Sequence, residues 1–209
     1  LGDVYKRQRK SLFHAGTHFN PDLLTSEAER RARLEGVHAA LDRAESLVFL
    51  DTESTGGRNG RLIEVGLVET DVEQNITGGL HFRCNPHRRS QARARRVHGI
   101  QDCELEHCPE FAARADELLE AVRGKTVVIH DRTMDLLWLN RELQATRPSA
   151  PRFEDCCTVI DSFVLARAVP SERRRNGLDA LLEWYGLGAR GGHHDAYGDA
   201  ALLLSLIHI

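Results

Sequence analysis

The sequence has no apolar run that could cross a membrane. Its longest apolar run, from Ala200 to Ile207, is interrupted by Ser205 and falls far short of the roughly 20 residues that a spanning helix needs. The N-terminal segment is basic but has no apolar core, so we expect no signal peptide. We therefore predict no membrane partner.

Cysteine is scarce and follows no disulfide pattern. An odd number of thiols without framework spacing favours a reducing compartment, and we expect a cytoplasmic location. Cys103 and Cys108, together with His107, resemble half of a zinc site, but a second pair of ligands is missing, so structural zinc has little support. The five cysteines are Cys84, Cys103, Cys108, Cys156 and Cys157.

The net charge is also small. A formal charge of −3 neither requires nor excludes a nucleic-acid partner. The 209 residues are 41% hydrophobic and 28% charged, the composition of a soluble globular domain. Among the few aromatic residues, Trp138, Trp184 and Tyr185 fall at helical core spacings, so we predict that they are buried.

Both ends of the sequence look foreign to the rest. Residues 1–8 and 204–209 resemble translated sequencing-adapter sequence that recurs in assembled metagenomic proteins, and we expect them to be artefacts. Residues 9–45 are predicted to form a partly helical N-terminal extension, since apolar residues recur there at helical spacing. Residues 46–203 form the predicted main domain.

Strand and helix signals in the main domain predict an α/β fold, a mixed sheet flanked by helices. Three strands come first, which favours an antiparallel meander, and strand–helix alternation follows. The predicted strands are Leu47–Asp51, Leu62–Val68, Gly79–Cys84, Thr126–Ile129 and Cys157–Ile160. The predicted helices are Phe111–Val122, Met134–Leu143, Ser162–Ala168, Leu178–Tyr185 and Asp195–Leu203.

The first strand ends in two acids, Asp51 and Glu53. Side chains two residues apart on a strand project to the same face, so both carboxylates are expected to converge at the strand's end. Such a pair suits a hard divalent cation such as Mg²⁺, which prefers oxygen ligands. Taken alone, such a pair is more often a solvated acidic turn than a metal site.

Two further acids strengthen the metal interpretation. Asp135 opens a helix directly after a predicted strand, and Asp199 lies on the last helix, five residues after His194. Because chemistry in α/β sheets gathers at the carboxyl ends of strands, these acids are expected to meet Asp51 and Glu53 there. Four carboxylates would repel one another strongly without cations. We therefore predict a site for two divalent metal ions, Mg²⁺ or Mn²⁺.

The order of five motifs resembles that of the DEDDh 3′–5′ exonucleases and, within them, of the proofreading epsilon subunits of bacterial DNA polymerase III. The motifs are Asp51-Thr-Glu53-Ser-Thr-Gly56, Val97-His-Gly-Ile100, Val127 to Asp135, Leu178 to Gly186, and His194 to Asp199. The resemblance implies a ribonuclease-H-like fold and hydrolysis of DNA from 3′ ends, releasing nucleoside 5′-monophosphates.

The resemblance also implies residue roles. Asp51, Glu53, Asp135 and Asp199 would be metal ligands, and His194, rather than its neighbour His193, would be the general base. The residues expected to contact substrate are Thr52, Thr55, Gly56, His98 and Met134. Single-stranded or frayed 3′ ends, with DNA favoured, are the implied substrate, and a DNA polymerase catalytic subunit is a second partner left open.

One motif departs from the family pattern His-Asn-x-x-Phe-Asp. Here Asp131 follows His130, adding a fifth acid, and Met134 replaces an aromatic residue. Two arginine-rich segments, at 88–96 and 173–175, suit either a phosphate-rich substrate or a solvated loop. The alternatives that stay open are a DEDDh enzyme acting on RNA ends and a non-catalytic module that binds nucleic acid or polymerase.

Overall fold

A computed structural model describes residues 35–37, 39–41, 43–168, 172–188 and 190–207. One five-stranded sheet forms its centre, with strand order β3-β2-β1-β4-β5. The strands are β1 Leu47–Ser54, β2 Leu62–Thr70, β3 Ile76–Arg83, β4 Thr126–Ile129 and β5 Thr158–Asp161. The first three strands pair antiparallel, whereas β4 pairs parallel with β1 and β5. The predicted mixed sheet and its initial meander are therefore confirmed.

Besides the helical residues at 35–37, 39–41 and 43, eight α-helices flank the sheet in the described part of the chain. They are α1 Ala92–His98, α2 Asp102–Leu105, α3 Ala115–Val122, α4 Thr133–Thr146, α5 Phe153–Cys156, α6 Ser162–Ala168, α7 Leu178–Tyr185 and α8 Ala196–Ile207, with a 3-10 turn at Phe111–Ala113. Three of them, α1, α2 and α5, were not predicted, because short helices rich in arginine or acids show no apolar repeat. The predicted helix over Phe111–Val122 is broken at Arg114, whose ψ of −3° falls outside helical geometry.

The central strand β1 packs on both of its faces. Val48 and Leu50 face a core formed with α3 and α4, and Phe49 faces a second core formed with α8. The helical residues 35–37 and 39–41 also reach this second core through Val37 and Leu41. Burial on both faces explains why β1 begins as an uninterrupted apolar run.

The predicted chain ends are only partly covered by the structure. Residues 204–207, inside the segment expected to be an artefact, continue α8, and Leu204 is buried in the second core. Residues 1–34 and 208–209 lie outside the described residues. Within the described ranges, no helix is long and apolar enough to span a membrane.

Two of the three aromatic residues predicted to be core are exposed. Trp184 is 52% exposed and Tyr185 37% exposed. The buried residues of α7 are Leu178, Leu181 and Leu182, and Trp184 lies off that face. Its helical spacing was therefore a misleading signal.

The N-terminus of α8 is pressed against β2. A Cβ atom on Gly66 would lie 2.2 Å from the backbone carbon of Ala196, so only glycine fits at this contact. The fully buried Glu64 accepts a hydrogen bond of 2.9 Å from the Ala196 backbone N–H and another of 2.8 Å from Arg83 Nε. These contacts fix the start of the helix that carries Asp199.

Candidate active site

A cleft of about 550 Å³ opens at the carboxyl ends of β1 and β4. Its walls come from these strands, from α4 and α7, and from the loop that leads into α8. The lining residues are Asp51, Thr52, Glu53, His130, Asp135, Trp138, Arg175, Gly177, Leu178, Asp179, Ala180, Glu183, Arg190, His194 and Asp199. All four predicted metal ligands and the predicted general base thus lie in one cleft.

Glu53, His194 and Asp199 are close enough to share one ion. One candidate ligand atom from each residue lies within 4.8 Å of those of the other two. His194 Nδ1 is 3.6 Å from Asp199 Oδ2 and 3.9 Å from Glu53 Oε1. Two carboxylates and one imidazole form a donor set that fits a divalent cation. Asp51 projects from β1 on the same face as Glu53.

Asp135 reaches the cleft from the first turn of α4. Its Oδ1 accepts a hydrogen bond of 2.6 Å from the Thr52 hydroxyl. Both side chains are buried, with exposed fractions of 7% for Asp135 and 6% for Thr52. Thr52, which was predicted to contact substrate, lines the cleft. Its hydroxyl also fixes the position of the Asp135 carboxylate.

Burial raises the pKa of all four carboxyl groups. It is the largest cause for Asp51, whose pKa lies well above its ordinary value, and the charges of Asp135 and Asp199 add to it. Burial raises the pKa of Glu53 to about 8 and that of Asp135 to about 7. For Asp199 burial raises the pKa to about 6, although Arg190 opposes the shift. A cluster of acids that resists ionisation is stabilised by protons or by cations.

Arg190 is a cleft residue that sequence reasoning missed. Its Nη1 lies 2.7 Å from Asp199 Oδ2, and its Nε lies 2.8 Å from Asp179 Oδ1. Only 11% of its side chain is exposed. The available signal was a lone arginine four residues before His194, directly ahead of Gly191 and Gly192.

His130 is a second cleft residue that had no predicted role. Its two ring nitrogens lie 2.9 Å from the Ser162 hydroxyl and 2.9 Å from the backbone oxygen of Asn176. Burial lowers its pKa. The ring therefore ties the end of β4 to the segment that leads into α7, which forms the opposite wall.

The two adjacent histidines face different surroundings. His194 lines the cleft, and its backbone N–H donates to the Val97 oxygen at 3.0 Å. His193 packs against the end of α1, where a Cβ on Gly99 would lie 2.5 Å from its ring. Burial, followed by the charge of Arg190, lowers the pKa of His194, so its imidazole is neutral at pH 7 and able to accept a proton.

The remaining predicted substrate residues lie outside the described lining of the cleft. Thr55 is 1% exposed and its hydroxyl accepts from the Arg61 N–H, while His98 is 4% exposed and its Nδ1 accepts from the Ile100 N–H. Gly56, with φ of 98°, forms the turn after β1, and Met134 is half-buried at the start of α4. Their contacts with substrate stay predictions.

Asp131, the additional acid of the altered motif, lies outside the described lining of the cleft, although His130 and Asp135 of the same motif line it. Asp131 is exposed and adopts a left-handed φ of 57°, with its backbone N–H donating to Asp161 at 3.2 Å. Its charge still contributes to the raised pKa of Asp135. Within the arginine-rich segments, Arg95 pairs with Asp102, whereas Arg175 lines the cleft.

Comparison with known proteins places these residues inside one recognisable region. The family model RNase_T, described as "Exonuclease", matches residues 48–207. DNA polymerase III subunit epsilon of Rickettsia conorii is 35% identical over 161 residues, covering 75% of this chain and 69% of that protein. The Escherichia coli protein of the same name is 34% identical over 165 residues, covering 75% of this chain and 67% of that protein.

Solved structures share the fold. E. coli exonuclease I in its zinc-bound complex with single-stranded DNA aligns with a TM-score of 0.67 at 21% identity, over 78% of this chain. A second structure of that enzyme, in complex with a dT13 oligonucleotide, aligns with a TM-score of 0.67 at 19% identity. This chain spans only 40% of the length of exonuclease I.

Proposed function

This chain belongs to the exonuclease family whose model it matches over residues 48–207, and we propose that it removes nucleoside 5′-monophosphates from the 3′ ends of DNA. We propose further that the reaction depends on metal ions and is of the proofreading type. Its class is that of a 3′–5′ exonuclease, a phosphodiester hydrolase. One observation carries the proposal: Asp51, Glu53, Asp135, His194 and Asp199 line a single cleft within the matched residues.

The donor set fits divalent cations. Glu53 and Asp199 supply carboxylate oxygens beside the His194 ring, and buried carboxylates with raised pKa values need positive charge nearby to ionise. Asp51, Glu53, Asp135 and Asp199 would hold two ions, Mg²⁺ or Mn²⁺. When bound, such ions supply charge stabilisation for the attacking and leaving oxygens of a phosphoryl transfer.

The side chains of the cleft supply the remaining chemistry. His194 is neutral at pH 7 because its pKa is lowered, so its imidazole accepts a proton from the attacking water. The charge of Asp179, which opposes the lowering of the pKa of His194, favours the imidazolium that forms. Thr52 fixes the Asp135 carboxylate through its 2.6 Å hydrogen bond. The products are a nucleoside 5′-monophosphate and a strand shortened by one nucleotide.

The cleft suits the end of a single strand. Its volume of about 550 Å³ lies within the range of small-ligand pockets, so it accommodates a terminal nucleotide. Arg175 on its wall and the arginines of α1 provide positive charge for backbone phosphates. The names of the relatives, DNA polymerase III subunit epsilon, support DNA as substrate and a polymerase catalytic subunit as partner.

The substrate proposal is tested with matched oligonucleotides. DNA and RNA of one sequence, each labelled at the 5′ end, are incubated with the protein and Mg²⁺ or Mn²⁺, and the products are resolved on gels and by chromatography. We expect a ladder of 5′-labelled fragments from DNA, release of 5′-monophosphates, and inhibition by EDTA. Faster hydrolysis of RNA would favour the exoribonuclease alternative, and no hydrolysis of either would favour a binding module.

A further inference from the structure

The guanidinium of Arg190 occupies the acidic end of the cleft. It bridges Asp199, at the start of α8, and Asp179, at the start of α7. Its positive charge lowers the pKa values of Asp51, Glu53 and Asp199, although burial outweighs that effect. Arg175, the other arginine on the described lining of the cleft, is exposed. Arg190 therefore provides the buried positive charge next to the candidate metal ligands.

The contacts of Arg190 are close but poorly directed. Its Nε and Nη1 approach carboxylate oxygens to 2.8 Å and 2.7 Å. Both nitrogens are buried, yet neither has a hydrogen-bond partner of good geometry among the described residues. The distances establish ion pairs, and the missing alignment shows that charge rather than directed bonding holds the group there. A contact of this kind is replaceable by another cation.

The glycines on either side of Arg190 have open space around them. Gly188 and Gly192 have φ values of 91° and 111°, which favour glycine, and among the described residues no atom lies within 4 Å of a Cβ placed on Gly188, Gly191 or Gly192. No close packing of the described residues at these glycines would oppose a change in the loop. The same loop carries His194, which lies 3.6 Å from the same Asp199 oxygen that Arg190 contacts.

We propose that Arg190 is the internal counter-cation of the metal-free site and competes with the metal ion for the Asp199 carboxylate. The inference rests on the proposed metal site and goes further by assigning a residue that sets its affinity. Arg190 and a divalent ion cannot both contact Asp199 Oδ2 closely, because their charges repel in a buried setting. Metal binding thus displaces the guanidinium from Asp199, while Asp179 remains as its partner.

The competing explanation is a purely structural link. Arg190 also joins α7 to α8 through Asp179 and Asp199, and that link would stabilise the fold to the same extent with or without metal. The two explanations differ in a measurable way. A counter-cation stabilises only the metal-free protein, and its removal strengthens metal binding, whereas a structural link does neither.

The test measures binding of Mn²⁺ to the wild type, Arg190→Gln, Arg175→Gln and Asp199→Asn. Free Mn²⁺ is followed by electron paramagnetic resonance, and melting temperatures are recorded in EDTA and in saturating Mn²⁺. We expect Arg190→Gln to tighten Mn²⁺ binding about tenfold, because losing a close, desolvated charge contact changes affinities by at least this order. Arg175→Gln, which removes an exposed cation from the same cleft, should change the Mn²⁺ affinity by less than about twofold.

The melting temperatures provide a second, independent readout. Arg190→Gln should melt lower than the wild type in EDTA but at the same temperature in saturating Mn²⁺, because the ion then takes over the role of the guanidinium. The inference alone would be overturned if Arg190→Gln lowered the melting temperature equally in EDTA and in Mn²⁺, or if it left the Mn²⁺ affinity unchanged. It would also be overturned if Arg190→Gln and Arg175→Gln raised the Mn²⁺ affinity equally. Absence of Mn²⁺ binding to the wild type, or equal binding to Asp199→Asn, would overturn the proposed metal site as well.

Discussion

The Thr52 hydroxyl donates a 2.6 Å hydrogen bond to the Asp135 carboxylate, joining two residues that are 83 positions apart. The bond connects β1, which carries Asp51 and Glu53, to α4, which carries Asp135. It also opposes the rise in the pKa of Asp135 that burial causes. Thr52 therefore keeps the acid from the second element both oriented and easier to ionise.

Replacing Thr52 should weaken the site without removing a ligand. Thr52→Val keeps the shape of the side chain but leaves the Asp135 oxygen without its donor, so we expect metal affinity and kcat to fall roughly 10- to 100-fold, as for other residues that orient metal ligands. Thr52→Ser retains the hydroxyl and should stay within a few-fold of the wild type. Mn²⁺ titration and steady-state hydrolysis of labelled DNA provide the measurements, and equal behaviour of the two variants would contradict this role.

The contact between β2 and α8 predicts a sharp difference between two glycines. Gly66→Ala places a methyl group 2.2 Å from the backbone of Ala196, so α8 and Asp199 must shift. We therefore expect a loss of about 3 kcal/mol in the free energy of unfolding, together with loss of activity. Gly78→Ala, on β3, meets its nearest neighbour, the Glu69 side chain, at 3.6 Å and should stay within about 1 kcal/mol of the wild type. Urea unfolding compares them, and similar values would refute the packing argument.

The raised pKa values of the carboxyl groups predict how stability depends on pH. In the folded protein without metal, Glu53 titrates at about 8 instead of 4.5, so the native state binds more protons than the unfolded state between these values. Its contribution to stability is present at low pH and is lost as the pH rises towards 8. We expect Glu53 alone to lower the free energy of unfolding in EDTA by about 1 kcal/mol per pH unit between pH 7 and 8, and the raised pKa values of Asp51 and Asp135 to add to this fall.

Saturating Mn²⁺ should remove most of this pH dependence, because the cation replaces the protons. The window lies above pH 6.5, where the histidines with lowered pKa values, His98, His130 and His194, are mostly neutral in both states and add little to the slope. Glu53→Gln, which cannot titrate, is the matched control and should show a shallower slope in EDTA. An equally steep slope in the variant would show that other groups cause the effect.

The two adjacent histidines should differ in catalysis. His194 faces the cleft with a lowered pKa, so in saturating Mg²⁺ the rate should decline only below about pH 6.5 as the imidazole becomes protonated. His194→Gln should lower kcat by at least about 100-fold, the usual contribution of a general base, and should remove the decline of the rate at low pH. His193→Gln should keep both the rate and its decline at low pH. A larger loss of kcat in this variant than in His194→Gln would assign the base to His193 instead.

Much of the fold was predictable because strong local signals coincide with it. The apolar run before Asp51 predicts β1, and the alternating pattern after Leu62 predicts β2. Motif order was enough to predict that the four acids and His194 come together, and the structure places them in one cleft, while their chemical roles stay predictions. Helix α1 was not predicted, because its sequence, Ala-Arg-Ala-Arg-Arg-Val-His98, has too few apolar residues to show a helical repeat.

The less predictable features depend on tertiary contacts. The resemblance implies that Thr55 and His98 contact substrate, which stays a prediction, but it could not show that the Thr55 hydroxyl accepts from Arg61 and the His98 ring from Ile100. The position of Arg190 before two glycines was too weak a signal, since its significance depends on Asp199 and Asp179 lying on two different helices. Local sequence cannot show which charged group will be enclosed by carboxylates from distant elements.

The cleft around Asp51 is proposed to hydrolyse DNA from its 3′ end by using bound metal. The most direct test follows Mn²⁺ binding and release of 5′-monophosphates in the same samples of wild type and Asp51→Asn, a variant that keeps the size of the side chain but removes its charge. We expect the wild type to bind Mn²⁺ and shorten the strand from the 3′ end, and the variant to lose at least about 100-fold in rate together with metal affinity. Equal hydrolysis by the two proteins, or cleavage that persists in EDTA, would show that metal-dependent hydrolysis does not take place at Asp51.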